Sequence, residues 1–284
     1  MYLKLIIQVR ELISSCQEQS ENRVPILSEL KRILTLIRDR VIGNNCCKYF
    51  FMRNDLLQTL LPLLWMKDET NAEFTEIITE CQKDALTLIS VLISQNGLIQ
   101  WTNLPANEVF SNLLLLLQGT TQQNASQYYK FFEILTKSLV CFAKKVESTR
   151  DAPFSDNNLP ILLKLLTPKN SNQQISQNVA ILLSISCDTP IKQRALINLR
   201  TIDILLETLY GICYIDDLSR LTITDSRLLD GTIDLMCTLT RENFEVCAIV
   251  SSASLRSRSI SSLFYQLLSL SSLSTDLKLK LSLL

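Results

Sequence analysis

Five short segments of this chain are rich in leucine and other apolar residues, and each demands a partner surface to cover it. They read LLQTLLPLL at 56–64, VFSNLLLLL at 109–117, NLPILLKLL at 158–166, TIDILLETL at 201–209 and ISSLFYQLL at 260–268. Their starts lie 53, 49, 43 and 59 residues apart. A second kind of segment follows the first four: ALTLISVLIS at 85–94, ILTKSLVCFA at 134–143, AILLSISCD at 180–188 and TIDLMCTLT at 232–240. Apolar residues at i, i+3 and i+4 mark these as helices. One helical unit cannot bury such stripes alone, so self-similarity at this spacing points to repeats stacked on one another.

The stretch from Val179 to Leu209 shows one unit most plainly. Val179, Leu182 and Leu183 close a long helix, and Cys187-Asp188-Thr189-Pro190 is a stop followed by a start. A short helix runs to Leu199, a turn falls near Arg200, and Ile202, Leu205, Leu206 and Leu209 open the next apolar helix. The same order is expected elsewhere. Leu3, Ile6, Ile7 and Ile13 predict an opening helix. A second helix from Ile26 to about Ile42 carries Ile26, Leu27, Leu30, Ile33, Leu34, Ile37 and Val41 on one face. Gly43-Asn44-Asn45 ends it. Asp55 is the expected N-cap of the helix from Leu56, which Pro62 should kink or terminate. Long helices are expected from Phe74, Ser126, Gln173 and Asp225, a short one at 98–101, and irregular chain at 148–158. A last helix opens at Thr275, and its apolar end reads as part of something longer.

Composition narrows the function. Histidine is absent, which removes the commonest general base and metal ligand and any serine–histidine or cysteine–histidine site. The five glycines stand alone, so no glycine-rich phosphate loop exists. Asp230 and Asp234 share a helix face, but such pairs on a solvated helix rarely do acid–base work. The expectation is a non-enzyme with no metal and no cofactor. The formal net charge is zero, so no global field draws nucleic acid or an anionic membrane. The first 53 residues carry nine Lys/Arg against five Asp/Glu, a mild excess that a solvated helix face explains. Tyr49-Phe50-Phe51 and Tyr128-Tyr129-Phe131-Phe132 could stack bases, but no basic track accompanies them, and packing is the expectation. Nine cysteines without a CxxC, most among apolar neighbours, read as reduced core residues of a cytoplasmic protein, with the nucleus as the alternative.

The repeats resemble those of the armadillo family, in which a short helix, a second helix like GxIxxLVxLL and a long third helix recur. The resemblance implies an all-α, right-handed α–α superhelix of about five repeats. Residues 1–42 would be its N-terminal helical cap and 43–284 the repeats, continuous with the cap as one domain. Helix pairs of the HEAT type are the nearest alternative. Peptide-binding members of the family carry an Asn on each third helix, and the matching positions here are Ser90, Ser138, Ser184 and Thr238. A hydroxyl carries its donor and its acceptor on one atom and cannot offer them on two separate atoms as an amide does, so the resemblance implies a groove of different chemistry.

Polar residues stripe the third helices: Thr87, Ser90 and Ser94; Glu133 and Lys137; Gln177 and Ser184; Asp230, Asp234 and Thr238. In the family's geometry these line the concave side and would contact a partner. The function expected is therefore a protein-interaction scaffold or adaptor that binds a peptide or helix segment of another protein. A self-associating structural module is the alternative.

Overall fold

The computed structural model describes residues 2–18, 23–66, 72–93, 106–121, 125–167, 172–213, 221–255 and 258–284. These residues are helical almost throughout. In chain order the helices are α1 (Tyr2–Glu18), α2 (Arg23–Val41), α3 (Asn45–Arg53), α4 (Leu56–Leu64), α5 (Ala72–Ile93), α6 (Ala106–Thr121) and α7 (Ala125–Lys145). There follow α8 (Leu159–Leu166), α9 (Gln173–Ser186), α10 (Pro190–Asn198), α11 (Thr201–Ile212), α12 (Ile223–Thr240), α13 (Phe244–Ser252), α14 (Ile260–Ser269) and α15 (Thr275–Leu283). Short 3-10 turns at Glu147–Thr149 and Ala152–Phe154 occupy the stretch expected to be irregular. The extended structure among the described residues is a two-residue antiparallel bridge, Ser254–Leu255 with Arg258–Ser259, between α13 and α14. The short helix expected at 98–101 lies outside the described residues.

The breaks between helices are chemical stops. Asn44, Asn172, Thr189, Asn243, Ser259 and Ser274 each accept a backbone N–H at a helix start. At α12 the cap is reciprocal: Thr222 accepts from the Asp225 N–H while Asp225 accepts from the Thr222 N–H. Asp55 departs from expectation. It makes no capping bond and sits at φ 59° in the left-handed region, where it turns α3 into α4. Arg200 holds the same place between α10 and α11, at φ 58°.

Contacts divide the chain into two compact units, Met1–Asn124 with Lys130–Thr149, and Ala125–Tyr129 with Arg150–Leu284. In the first unit α1 packs on α2 and on α4, and α2 packs along α5. The core is the expected stripe: Ile6, Val9, Leu27, Leu30, Leu34, Leu60, Leu63 and Ile89 are almost fully enclosed. Phe51 is buried against Tyr2 and Phe50, with ring centroids 5.5 and 5.8 Å away. Phe131 and Phe132 are buried too, so these aromatic residues pack inside as expected, while Tyr49 stays exposed. In the second unit α8 packs on α9, α11 and α9 on α12, and α14 and α12 on α15. Among the described residues no helix is long and apolar enough to cross a membrane.

Cysteine usage follows the sequence reading in part. Cys16, Cys47, Cys81, Cys187 and Cys213 are buried and Cys141 and Cys237 half-buried, but Cys46 and Cys247 are exposed. All nine are free thiols. Burial pushes the Cys81 thiol up to about 12 and those of Cys187 and Cys237 up to about 11, which keeps them protonated and unreactive.

Candidate interaction surface on the third helices

Third helices of successive repeats meet through hydroxyls. In the first unit Ser90 of α5 and Ser138 of α7 approach to 2.6 Å. Ser138 spends its proton on the Ile134 carbonyl, one turn back, at 2.9 Å. A hydroxyl has one proton to give, so Ser90 is the donor of the pair. In the second unit Ser184 of α9 and Thr238 of α12 lie 2.8 Å apart, and Thr238 donates to the Asp234 carbonyl at 2.9 Å. The same logic makes Ser184 the donor. These four are the positions that match the family's asparagines. Their hydrogen bonds are turned inward, between helices. Ser90 and Ser138 are buried, whereas Ser184 and Thr238 keep partial exposure. Two residues beyond Ser184 the Ser186 hydroxyl is fully buried with no hydrogen-bond partner among the described residues.

The remaining stripe residues are distributed differently. Thr87 is half-exposed and donates to the Lys83 carbonyl. Glu133 is half-exposed and Lys137 exposed on α7. Gln177 is half-exposed and accepts from Gln174 at 2.7 Å. Its backbone and Cγ also lie against Gly231, where any added Cβ would sit 3.2 and 3.3 Å away. Ser94 lies outside the described residues.

Asp230 and Asp234 are joined by a residue that the sequence pattern did not single out. Lys280 of α15 reaches across to Asp230 at 3.0 Å and Asp234 at 2.8 Å, and closes on Asp276 of its own helix at 2.7 Å. Burial works against the Lys280 ammonium, yet the hydrogen bonds it donates to Asp234, Asp276 and Asp230 outweigh it and hold its pKa above the ordinary lysine value. Burial raises the Asp234 carboxyl, and one lysine shared among three carboxylates does not bring it back. The negative charge of Asp230 and Asp234 is thus partly neutralised by the last helix.

Two glutamines act as helix stoppers in a way no local pattern signals. Gln82 of α5 shares its amide protons among the carbonyls of Leu63, Leu64 and Met66, at the end of α4. Gln193 of α10 does the same for Thr238, Leu239 and Arg241, at the end of α12. Orphan carbonyls at helix ends need such partners. Lys192 is a third long-range device. Its ammonium lies 2.7 Å from both Asp151 and Asp188 and 5.5 Å from the Phe154 ring centre, and so ties the 3-10 turn before α8 to α10.

No protein-family model and no curated protein sequence matches the chain. Solved structures do. A designed armadillo repeat protein matches with a TM-score of 0.62 at 14% identity, over 99% of this chain and 97% of that one. An engineered protein matches at 0.60 and 12% identity, over 97% and 96% of the two chains. A second engineered protein matches at 0.56 and 12%, over 97% and 94%. Likeness at such low identity speaks of the fold alone. The chain has the all-α fold of armadillo repeat proteins.

Proposed function

We propose that this protein is a non-enzymatic scaffold that binds a segment of another protein along the exposed side of its third helices. Residues 1–42 serve as its N-terminal cap, and 43–284 as the repeats, in one domain. The observation that carries the reading is a division of labour on those helices. Ser90, Ser138, Ser184 and Thr238 are engaged between helices, while Thr87, Lys137 and Gln177 keep polar side chains at the surface. The hydroxyl pairs stiffen the array, and the outward residues supply recognition. Buried, protonated thiols suit a reducing compartment, which favours the cytoplasm. Photo-crosslinking tests the reading. A benzoylphenylalanine placed at Thr87 or Lys137 is expected to join one discrete partner protein in cells. The same probe at exposed Glu147 is expected to give none. Equal products from all three positions would overturn it.

Self-association is the second reading, and one observation favours it. Tyr265, Leu279 and Leu283 on the last two helices are 77%, 61% and 74% exposed. Light scattering across a concentration series decides. A dimer that Leu279→Lys with Leu283→Lys returns to monomer supports self-association, and a monomer at every concentration removes it.

A further inference from the structure

A furrow of about 260 Å³ runs between α1 and α4, which pack on each other in the first unit. Arg10, Ser14 and Gln17 line one wall. They stand at i, i+4 and i+7, on one face of α1 beside the buried stripe of Val9, Ile13 and Cys16. Gln58 and Pro62 line the other wall, on α4, and Ile13 and Thr59 are buried at the base. Pro62 has no N–H to give the Gln58 carbonyl four residues before it, which opens the backbone on this wall. The furrow therefore presents one guanidinium, two carboxamides and a hydroxyl, and none of its lining residues is acidic. Arg10, Ser14, Gln17 and Gln58 make no hydrogen bond or ion pair among the described residues.

That set matches a carboxylate. A guanidinium takes a planar carboxylate through two parallel hydrogen bonds, and the amide N–H groups complete its remaining lone pairs. A phosphate brings more charge than a single arginine balances. The furrow is also too small and too open to enclose a free ligand, which ordinarily buries most of its surface in about 300 Å³ or more. It admits a side chain presented from another surface. We propose that the α1–α4 furrow is a binding site, separate from the third-helix surface, for a glutamate or aspartate side chain of an acidic segment in a partner protein.

The test uses the full chain with ¹⁵N-labelled arginine and a blocked hexapeptide of alternating Glu and Leu. The Arg10 side-chain N–H resonance is expected to shift saturably with this peptide and not with its Gln-for-Glu counterpart. Arg10→Ala is expected to weaken peptide binding about tenfold or more, the loss of a charge-assisted pair. Gln58→Leu is expected to weaken it less, and Lys4→Ala, exposed on the same helix outside the furrow, by no more than about twofold. An unmoved Arg10 resonance overturns the proposal. So do equal losses from Arg10→Ala and Lys4→Ala, which would mean diffuse charge attraction. Sodium acetate that reproduces the whole shift at the same carboxylate concentration also overturns it, because the furrow would then be reading a free carboxylate and not a peptide.

Discussion

The seam between α2 and α5 and the seam between α9 and α12 do the same job with different chemistry. The first is held by charge across long side chains. Arg38 meets Asp84 at 2.6 Å, Lys31 lies 3.9 Å from Glu80, and Cys81 donates to the Leu27 carbonyl at 3.4 Å. The second is held by closeness. Gly231 lets α12 approach the Gln177 backbone, and Ala180 and the Ser184–Thr238 hydroxyl pair continue the contact. Both seams are filled by apolar side chains, and what differs is the set of contacts that closes each of them: long charged residues at the first, small residues and hydroxyls at the second. The two should therefore fail in different ways.

The largest effect is expected at the narrow seam. Gly231→Leu must place its side chain where a Cβ alone already comes within 3.2 Å of the Gln177 carbonyl oxygen. Overpacking of this kind is expected to cost about 3 kcal/mol, even after the gain in helix propensity. Urea unfolding measures it. A loss as small as that of Leu at the open Gly211, which meets nothing within 4 Å, would show that the seam is not tight and would break the comparison.

At the charged seam, Arg38→Ala leaves the Asp84 carboxylate with its side chain only 14% exposed and without its closest cation. The cost expected is about 2 kcal/mol, below that of a fully buried pair because Arg38 itself is partly solvated. Its pH dependence carries a sign. Burial raises the Asp84 carboxyl above its ordinary value, and Arg38, although it pulls the other way, does not cancel this. A folded pKa above the unfolded one means that the folded state holds the extra proton between the two values. The group's contribution to stability therefore declines as pH rises through that window, and the penalty is complete above it. Removing Arg38 deepens the penalty for the ionised form, so the Arg38→Ala deficit is expected to shrink as pH falls into the carboxylate range. Asp225, at the start of α12, has the opposite sign. Burial raises its carboxyl, but hydrogen bonds from Thr222 and Gln173 bring it below the ordinary value, so its contribution is lost as pH falls. Parallel acid titrations of Arg38→Ala and Asp225→Asn separate the two seams.

The helices, their order and their buried stripes were legible because a period of 3.6 is local. Ile26, Leu27, Leu30, Ile33, Leu34, Ile37 and Val41 were named as one face from spacing alone; six are buried and Ile26, at the start of the stripe, is half-buried. The start at Thr189-Pro190 was legible, because the cap there is one side chain and one N–H. What was not legible acts across tens of residues. Lys280 lies 50 positions from Asp230, and Gln193 45 from the Thr238 carbonyl. A lysine in a final helix and a glutamine in a short one look like any solvated residue until the stack brings them to their partners. The stripe on the third helices was legible as polar, but which hydroxyls turn inward was not, because both outcomes share one spacing. Asp55 holds the N-cap position its residue type suggested, but without the side-chain capping bond, and only backbone geometry reveals the left-handed turn there.

That turn yields the smallest and most discriminating test. Asp55 in the first unit and Arg200 in the second occupy equivalent junctions between a short helix and the apolar helix after it, and both hold a positive φ that an L side chain resists. The family pattern places a glycine there. Arg200→Gly is expected to stabilise the chain by about 1 kcal/mol, since the relief of left-handed strain exceeds the added entropy of the unfolded chain. Asp55→Gly is expected to gain less, because Asp tolerates this conformation better than Arg. Both variants keep the carbonyl that caps the next turn, Asp55 to Thr59 and Arg200 to Ile204, and the one side-chain contact that Arg200→Gly gives up is an exposed ion pair with Asp203 at 3.2 Å, of small worth. Two gains of the expected order would mean that the two units, so different at their seams, share one junction whose strain is set by residue type alone. A loss at either position would mean that the side chain there is held by its unit, and the junctions would join the seams as places where the two halves of the molecule differ.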